Sequence, residues 1–296
     1  MVAQQHILIT GANGLLGYQA LTAWRGQHVL HAVVRAMPAD PVPEVTYHVR
    51  DLAAAWDEHG LPKRIDAVCH LAQSTQMRDF PTAADDIFRV NTQATAHLLG
   101  YAQRVGARRF ILASTGGLYA ATDALLTSQS PVAPRFDTPL GYYFASKLAA
   151  ENLAQAYAGL LQVTLVRPFF IYGERQPAAM LVPRLIGNVR HGTAIKLRGG
   201  TGTRLNPIAA TDAAAALTAV LIAPDAAGVG ILNLAGSEIL TIKAMAEQIG
   251  AGLGRVPVFD IEPGVADTII ADSAPLQALL GKPLTGFTTG MAAMLR

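Results

Sequence analysis

The sequence predicts an α/β fold, a doubly wound parallel sheet with a smaller C-terminal substrate-binding lobe, and three observations predict it. Short β-branched and apolar runs alternate with helical patterns over the first 170 residues or so. The glycine-spaced turn Thr10-Gly11-Ala12-Asn13-Gly14-Leu15-Leu16-Gly17 follows the apolar run Ile7-Leu8-Ile9 directly and opens a helical pattern. Beyond Pro168 the alternation loosens: Pro177, Pro183 and Pro207 interrupt it and Gly199-Gly200 marks a turn.

Each element has its own reason. His6–Thr10 is the first strand, and residues 14–24 are the helix that its glycine turn opens. Val29–Val34, Val45–Val49 and residues 65–71 read as the second to fourth strands. Residues 85–104 carry apolar side chains at Ile87, Val90, Ala94, Leu98 and Ala102, close to the helical period, and stop before Gly106. Residues 110–113 are strand five, 141–158 a helix, and 163–166 strand six. Helices follow at about 178–190, 212–222 and Ile242–Leu253, with a strand near 230–234 that rejoins the main sheet. The domains expected are 1–170 with about 206–235 for a dinucleotide, and 171–205 with 236–296 for the substrate.

Composition narrows the classes of partner. The chain of 296 residues is long enough to bury a sizeable core, and its net charge of +2 argues against nucleic acid or another polyanion. Cys69, the single cysteine, sits in Val68-Cys69-His70-Leu71 and reads as a small core residue. It leaves no disulfide within the chain, which fits a reducing cytosol. The first strand begins at residue 6, leaving no room for a signal peptide ahead of it. Residues 213–223 are the most apolar stretch, too short to span a bilayer, and follow the capping residue Asp212. A cytoplasmic location without membrane contact is expected.

Two motifs carry chemistry. Backbone N–H groups of a glycine-spaced turn can approach a pyrophosphate at a helix N-terminus, where the partial positive charge favours an anion. The second motif is Tyr143-Phe144-Ala145-Ser146-Lys147. A Tyr and a Lys four apart share one helix face, so the ammonium can hold a phenolate near neutral pH. Tyr142, five before Lys147, is turned off that face. A dinucleotide site beside a proton-handling pair describes a dehydrogenase-type active site.

The chain resembles the extended short-chain dehydrogenase/reductases, the NAD-dependent epimerase/dehydratase family. The resemblance rests on Gly11, Gly14 and Gly17; Asp51-Leu52; His70-Leu71-Ala72-Gln73; Asn91; Ser114-Thr115 with Leu118-Tyr119; and Tyr143 with Lys147. It continues through the run from Arg167 to Gly173 and the run from Arg204 to Ile208. It implies that Tyr143 is the acid and base, that Lys147 also bonds the nicotinamide ribose, and that Thr115, ahead of its neighbour Ser114, orients the substrate oxygen. It implies a cofactor site of Gly11, Asn13, Gly14, Leu15, Gly17, Arg35, Asp51, Leu52, Leu71, Ala72, Gln73, Tyr143, Lys147, Pro168 and Phe170. Ser74, Thr115 and Arg204 would touch substrate. Asn91 is either structural or part of a proton relay, and His70 is an inner residue packed beside the cofactor. No metal is implied.

The resemblance implies NAD(P). Where NAD-preferring relatives end strand two with an acid, this chain has Val34 followed by Arg35, and a guanidinium there suits a 2′-phosphate, so NADP is preferred. Arg204 in place to grip a diphosphate points to a nucleotide-activated sugar oxidised or reduced at C4. Phe170 stands where such enzymes carry an Asn, and the loop Gly116-Gly117-Leu118-Tyr119-Ala120 departs from the usual Val-Tyr-Gly ending and lacks the Asp-Glu pair of the dehydratases. Dehydration is therefore disfavoured. An NADPH-dependent reductase or dehydrogenase of a non-nucleotide alcohol or ketone, and a non-catalytic cofactor-sensing protein, remain open beside the C4 reading. A homodimer through the helices at 85–104 and 141–158 is expected.

Overall fold

The computed structural model describes residues 4–120, 122–224 and 228–296. The chain begins with β1 (His6–Thr10), α1 (Leu15–Trp24), β2 (Val29–Val34), β3 (Val45–Val49) and β4 (Ala67–His70). Next come α2 (Ala84–Phe88), a π-helical turn (Arg89–Gln93), α3 (Ala94–Arg104), β5 (Arg109–Ala113), α4 (Gly141–Gln155) and β6 (Gln162–Pro168). There follow β7 (Ile171–Tyr172), α5 (Leu181–His191), β8 (Ile195–Arg198), β9 (Arg204–Leu205), β10 (Ile208–Ala209), α6 (Ala210–Ile222) and β11 (Val229–Leu234). The chain closes with β12 (Leu240–Thr241), α7 (Ile242–Leu253), β13 (Phe259–Glu262), β14 (Thr268–Ile269), α8 (Ala274–Leu280) and α9 (Phe287–Met291).

The main sheet has seven strands in the order β11-β6-β5-β4-β1-β2-β3. β1 pairs in parallel with both β2 and β4, so the chain winds one way through β2 and β3 and then reverses through β4, β5 and β6. This is the doubly wound arrangement, and its switch point lies between the C-terminal ends of β1 and β4. Ile7, Leu8 and Ile9 are all fully buried, which is why β1 reads as an unbroken apolar run.

The chain forms two units. The first comprises the described residues up to Ala120, Pro131–Arg167 and Ala214–Leu232; the second comprises those of Ala121–Ser130, Pro168–Ala213 and Asn233–Arg296. Residues 206–213, placed with the first by sequence, cluster with the second, as does 121–130. The buried Asn206 amide explains part of this, donating to Gly236 O (2.8 Å) and Ala271 O (2.7 Å) and accepting from Ala271 N. Leu126 is tied to Ile270 and Asp272 by backbone bonds of 2.9 and 2.8 Å.

In the first unit, Leu8, Val33, Val68, Phe110 and Leu165 pack with Leu98, Leu99, Ala150 and Ala154 of α3 and α4. Trp24 of α1 donates its indole N–H to Thr218 Oγ1 of α6 at 2.9 Å. Buried Arg109 donates to Val220 O (2.8 Å) and to Ala223 O, satisfying carbonyls at the C-terminal end of α6. Cys69 is fully buried, and burial raises its thiol pKa.

The helix expected over 85–104 is present, with a π turn inserted at Arg89–Gln93. That extra residue per turn re-aims Asn91 and Thr92, whose side chains bond Ser146 Oγ (2.9 Å) and Ser146 O (3.0 Å) on α4.

The second unit is built of short strands, with β8 paired to β13 and β9 between β12 and β14. The buried stripe Val182, Leu185, Ile186 and Val189 of α5 packs with Met245, Ala246 and Ile249 of α7 around Tyr172 and Phe287. Among the described residues no helix is long and apolar enough to cross a membrane.

Candidate active site

The switch point is a tight junction. Gly11 has φ 69°, and a Cβ there would lie 2.6 Å from Ala72 N, so only glycine lets the turn after β1 meet the backbone after β4. At Gly17 a Cβ would strike the Gly11 carbonyl and come within 2.8 Å of Ala12 Cα. Gly14 caps α1 with no side-chain cap, and the first turn holds no acid, so the amides of Leu15 and Leu16, ahead of the first intrahelical bond from Tyr18 N to Gly14 O, can face an anion. These features fit the pyrophosphate of a dinucleotide.

Exposed Asn13 donates to Ala36 O at 2.9 Å, tying the turn to the segment after β2 where Arg35 is also exposed. Asp51, expected at the adenine, accepts from Ala53 N at 2.9 Å as a turn cap, and Leu52 packs against the core. Leu71 N donates to Thr10 O at 3.3 Å.

Beneath the junction runs a buried chain of hydrogen bonds. Ala72 N donates to Thr10 Oγ1 (3.2 Å), which contacts His70 Nδ1 (2.6 Å); His70 Nε2 contacts Thr95 Oγ1 (3.1 Å), which donates to Asn91 O (2.7 Å). Each hydroxyl has one proton, so Thr95, committed to Asn91 O, must accept from Nε2–H. His70 is thus a neutral imidazole with an acceptor Nδ1. Burial, aided by the Lys147 charge, pushes its pKa down to about 3, and it supports the site without exchanging protons.

Asn91 accepts from Ser74 N (2.9 Å) and donates to Ser146 Oγ, using both ends of its amide to pin the segment after β4 against α4. Ser74, expected at the substrate, is buried, and its hydroxyl donates to the Asp86 carboxylate and accepts from Gln76 N at 3.1 Å.

Tyr143 and Lys147 share the buried face of α4. Lys147 Nζ lies 5.9 Å from the Tyr143 ring centroid and donates to Ala113 O at 2.8 Å. Burial, opposed by Glu151, lowers its pKa to about 8. Glu151 is held by a buried fork to Arg167, at 2.9 and 2.6 Å, and the guanidinium lies 4.6 Å from the Tyr119 ring centroid. Thr115 Oγ1 accepts from Gly117 N at 3.2 Å, and its hydroxyl lies close enough to Tyr143 to pull that pKa down. Burial outweighs this and pushes Tyr143 up to about 12. Burial thus acts against the phenolate that the sequence predicts, and Lys147 Nζ is turned to the Ala113 carbonyl.

The phenol donates to Gln73 Oε1 at 3.0 Å, a contact the sequence reading missed. Thr10, Thr95 and Ser146 were not assigned roles from the sequence; Thr10 and Ser146 stand inside the two motifs, and Thr95 carried no signal. Tyr142 stacks on Phe80 with centroids 4.8 Å apart. Ser114 is buried at the end of β5. In the second unit, Pro168 ends β6, and Phe170 has φ 48° and packs against that unit's core. Arg204 is exposed on β9, its backbone between Thr241 and Thr268.

The model of the NAD dependent epimerase/dehydratase family matches residues 7–235. The chain belongs to this family. A UDP-glucuronate 4-epimerase of Thermodesulfobacterium geofontis is 31% identical over 176 residues, 59% of this chain and 52% of that protein. The chain spans about half the length of the curated relatives it matches first. Among solved structures, MoeE5 in complex with UDP-glucuronic acid and NAD is 26% identical, with a TM-score of 0.81 over 97% of this chain and 96% of that one. UDP-glucuronic acid 4-epimerase from Bacillus cereus, at 20% identity, 97% of both chains and a TM-score of 0.84, shares the fold.

Proposed function

We propose that this protein is an NAD(P)-dependent epimerase or oxidoreductase acting at C4 of a nucleotide-activated sugar, with Tyr143 as general acid and base. The observation that carries the reading is the meeting of Thr115, Tyr143 and Lys147 within the first unit, in a family whose matched members include UDP-sugar 4-epimerases. The bound cofactor would supply the hydride acceptor and donor, held by the Gly11–Gly17 turn. Tyr143 takes the hydroxyl proton as the carbon becomes a carbonyl and returns it in the reverse direction. Thr115 orients the substrate oxygen, and Lys147 favours the base form by its charge. Gly116-Gly117 offers no acid-base pair for dehydration.

Arg35, exposed beside the Asn13–Ala36 tie, supports NADP over NAD, while MoeE5 carries NAD. A purified epimerase retains its cofactor through turnover, so tightly bound dinucleotide is expected. The reading also includes a cytoplasmic location and a two-fold dimer through α2, α3 and α4, which is supported by the exposed Phe88 and Leu153. Light scattering at micromolar concentration should give twice the monomer mass, and a monomer would remove the dimer.

Arg204, exposed and carrying a fork of donors, supports the diphosphate. Arg204→Ala should weaken UDP or dTDP in calorimetry by about 1.5–3 kcal/mol, leaving NAD(P) affinity unchanged. Wild-type protein that binds neither nucleotide, nor GDP or CDP, would favour the second reading, reduction of a non-nucleotide ketone by exchangeable NADPH. Phe170 supports that reading, because its side chain offers a phosphate no donor.

A further inference from the structure

Gln73 is exposed, yet its amide reaches the buried phenol that the proposed reaction uses, accepting the Tyr143 proton at 3.0 Å. The contact is long-range, from the segment after β4 to α4, and that segment is held by the Ser74–Asn91 and Ala72–Thr10 bonds. Its geometry is therefore imposed by the buried network rather than by the Gln side chain itself. The Thr115 hydroxyl, which accepts from Gly117 N, lies near the phenol. The side-chain partner of the phenol O–H is the Gln73 amide.

An amide offers two faces of equal reach. Its oxygen accepts from a phenol; turned over, its NH2 donates to a phenolate. We infer that Gln73 is a positioning residue for Tyr143, accepting from its acid form and, after an amide flip, donating to its base form. The proton that leaves Tyr143 goes to the substrate oxygen in reduction and comes from the substrate hydroxyl in oxidation, so Gln73 itself gains and loses none. Hydrogen bonds to an ionised partner are about twice as strong as neutral ones, so the flip favours the phenolate on balance. The other titratable groups around the phenol are Lys147 and Glu151 on its own helix and, facing Lys147 from β4, the neutral His70.

This inference rests on the proposed role of Tyr143, and its test needs no sugar. The ultraviolet band of tyrosinate is titrated in full-length protein saturated with NAD or NADP, and the Tyr143→Phe spectrum is subtracted to isolate Tyr143. Gln73→Met, nearly isosteric and unable to hydrogen-bond through an amide, should raise the Tyr143 midpoint by roughly half a pH unit to one unit. Gln73→Glu, which as a carboxylate can only accept and adds a negative charge, should raise it by more than one unit. A midpoint in Gln73→Met equal to or below wild type would overturn the inference, as would reduced turnover of UDP-glucose with the midpoint unmoved, the mark of a merely structural residue. Failure of every nucleotide sugar to react would remove the proposed substrate and leave this titration standing.

Discussion

The two sides of Tyr143 are built on opposite terms. Behind it, Thr10, His70, Asn91, Thr95, Ser146, Lys147 and Glu151 are buried, and their side chains bond one another, neighbouring backbone or Arg167. By contrast, the rim residues Asn13, Arg35, Asp51 and Gln73 are exposed and lie in the segments that follow β1, β2, β3 and β4. A buried polar group that loses its partner costs its full desolvation, whereas a surface side chain can change at little cost to the fold. The buried side therefore fixes the kind of chemistry, and the exposed rim is free to set cofactor preference and tune the proton.

The largest effect expected on the buried side is catalytic. Tyr143→Phe should lower turnover by about two to four orders of magnitude with cofactor affinity nearly unchanged, as steady-state rates and a dinucleotide titration would show. Near-normal turnover would dismiss Tyr143 from its role and leave the buried network without a chemical purpose.

Next in size is the support one turn further along α4. Glu151→Ala strands the Arg167 guanidinium in the interior, and removing one partner of a buried pair typically costs about 3–5 kcal/mol. Urea unfolding should show that loss; a change under about 1 kcal/mol would mean that the fork is not the constraint its burial implies. The same variant removes the charge opposing the desolvation of Lys147.

The smallest effect belongs to the rim. Arg35→Asp should shift preference from NADP toward NAD by roughly tenfold or more, the loss of a charge-assisted bond to phosphate, with urea stability unchanged. Wild-type protein that already binds NAD ten times more tightly than NADP would withdraw the reading of Arg35.

Much of this division was legible in the residues. The bounds of β1, β2 and β3 could be read directly because each is a short apolar or β-branched run set off by turn residues. The Tyr143–Lys147 pairing follows from helical spacing alone, a local geometry that the chain carries with it. The glycines of the first turn likewise announce a close approach before any partner is known. Strands β7, β9, β10, β12 and β14 are two residues each, too short for any period to register, so the second unit stayed indistinct.

Tertiary structure alone decided the rest. The π turn at Arg89–Gln93 is inserted in a pattern that reads as one helix, because its reward is paid by Ser146, far along the chain. Ser74 reads as a free hydroxyl until Asp86 and Gln76 are seen to use it. The protonation of Tyr143 and its bond to Gln73 depend on burial and on partners that the fold brings from β4 and β5. Spacing along a helix places two side chains on one face, but desolvation and the orientation of an amide depend on what is packed around them, and that is settled only when distant segments meet.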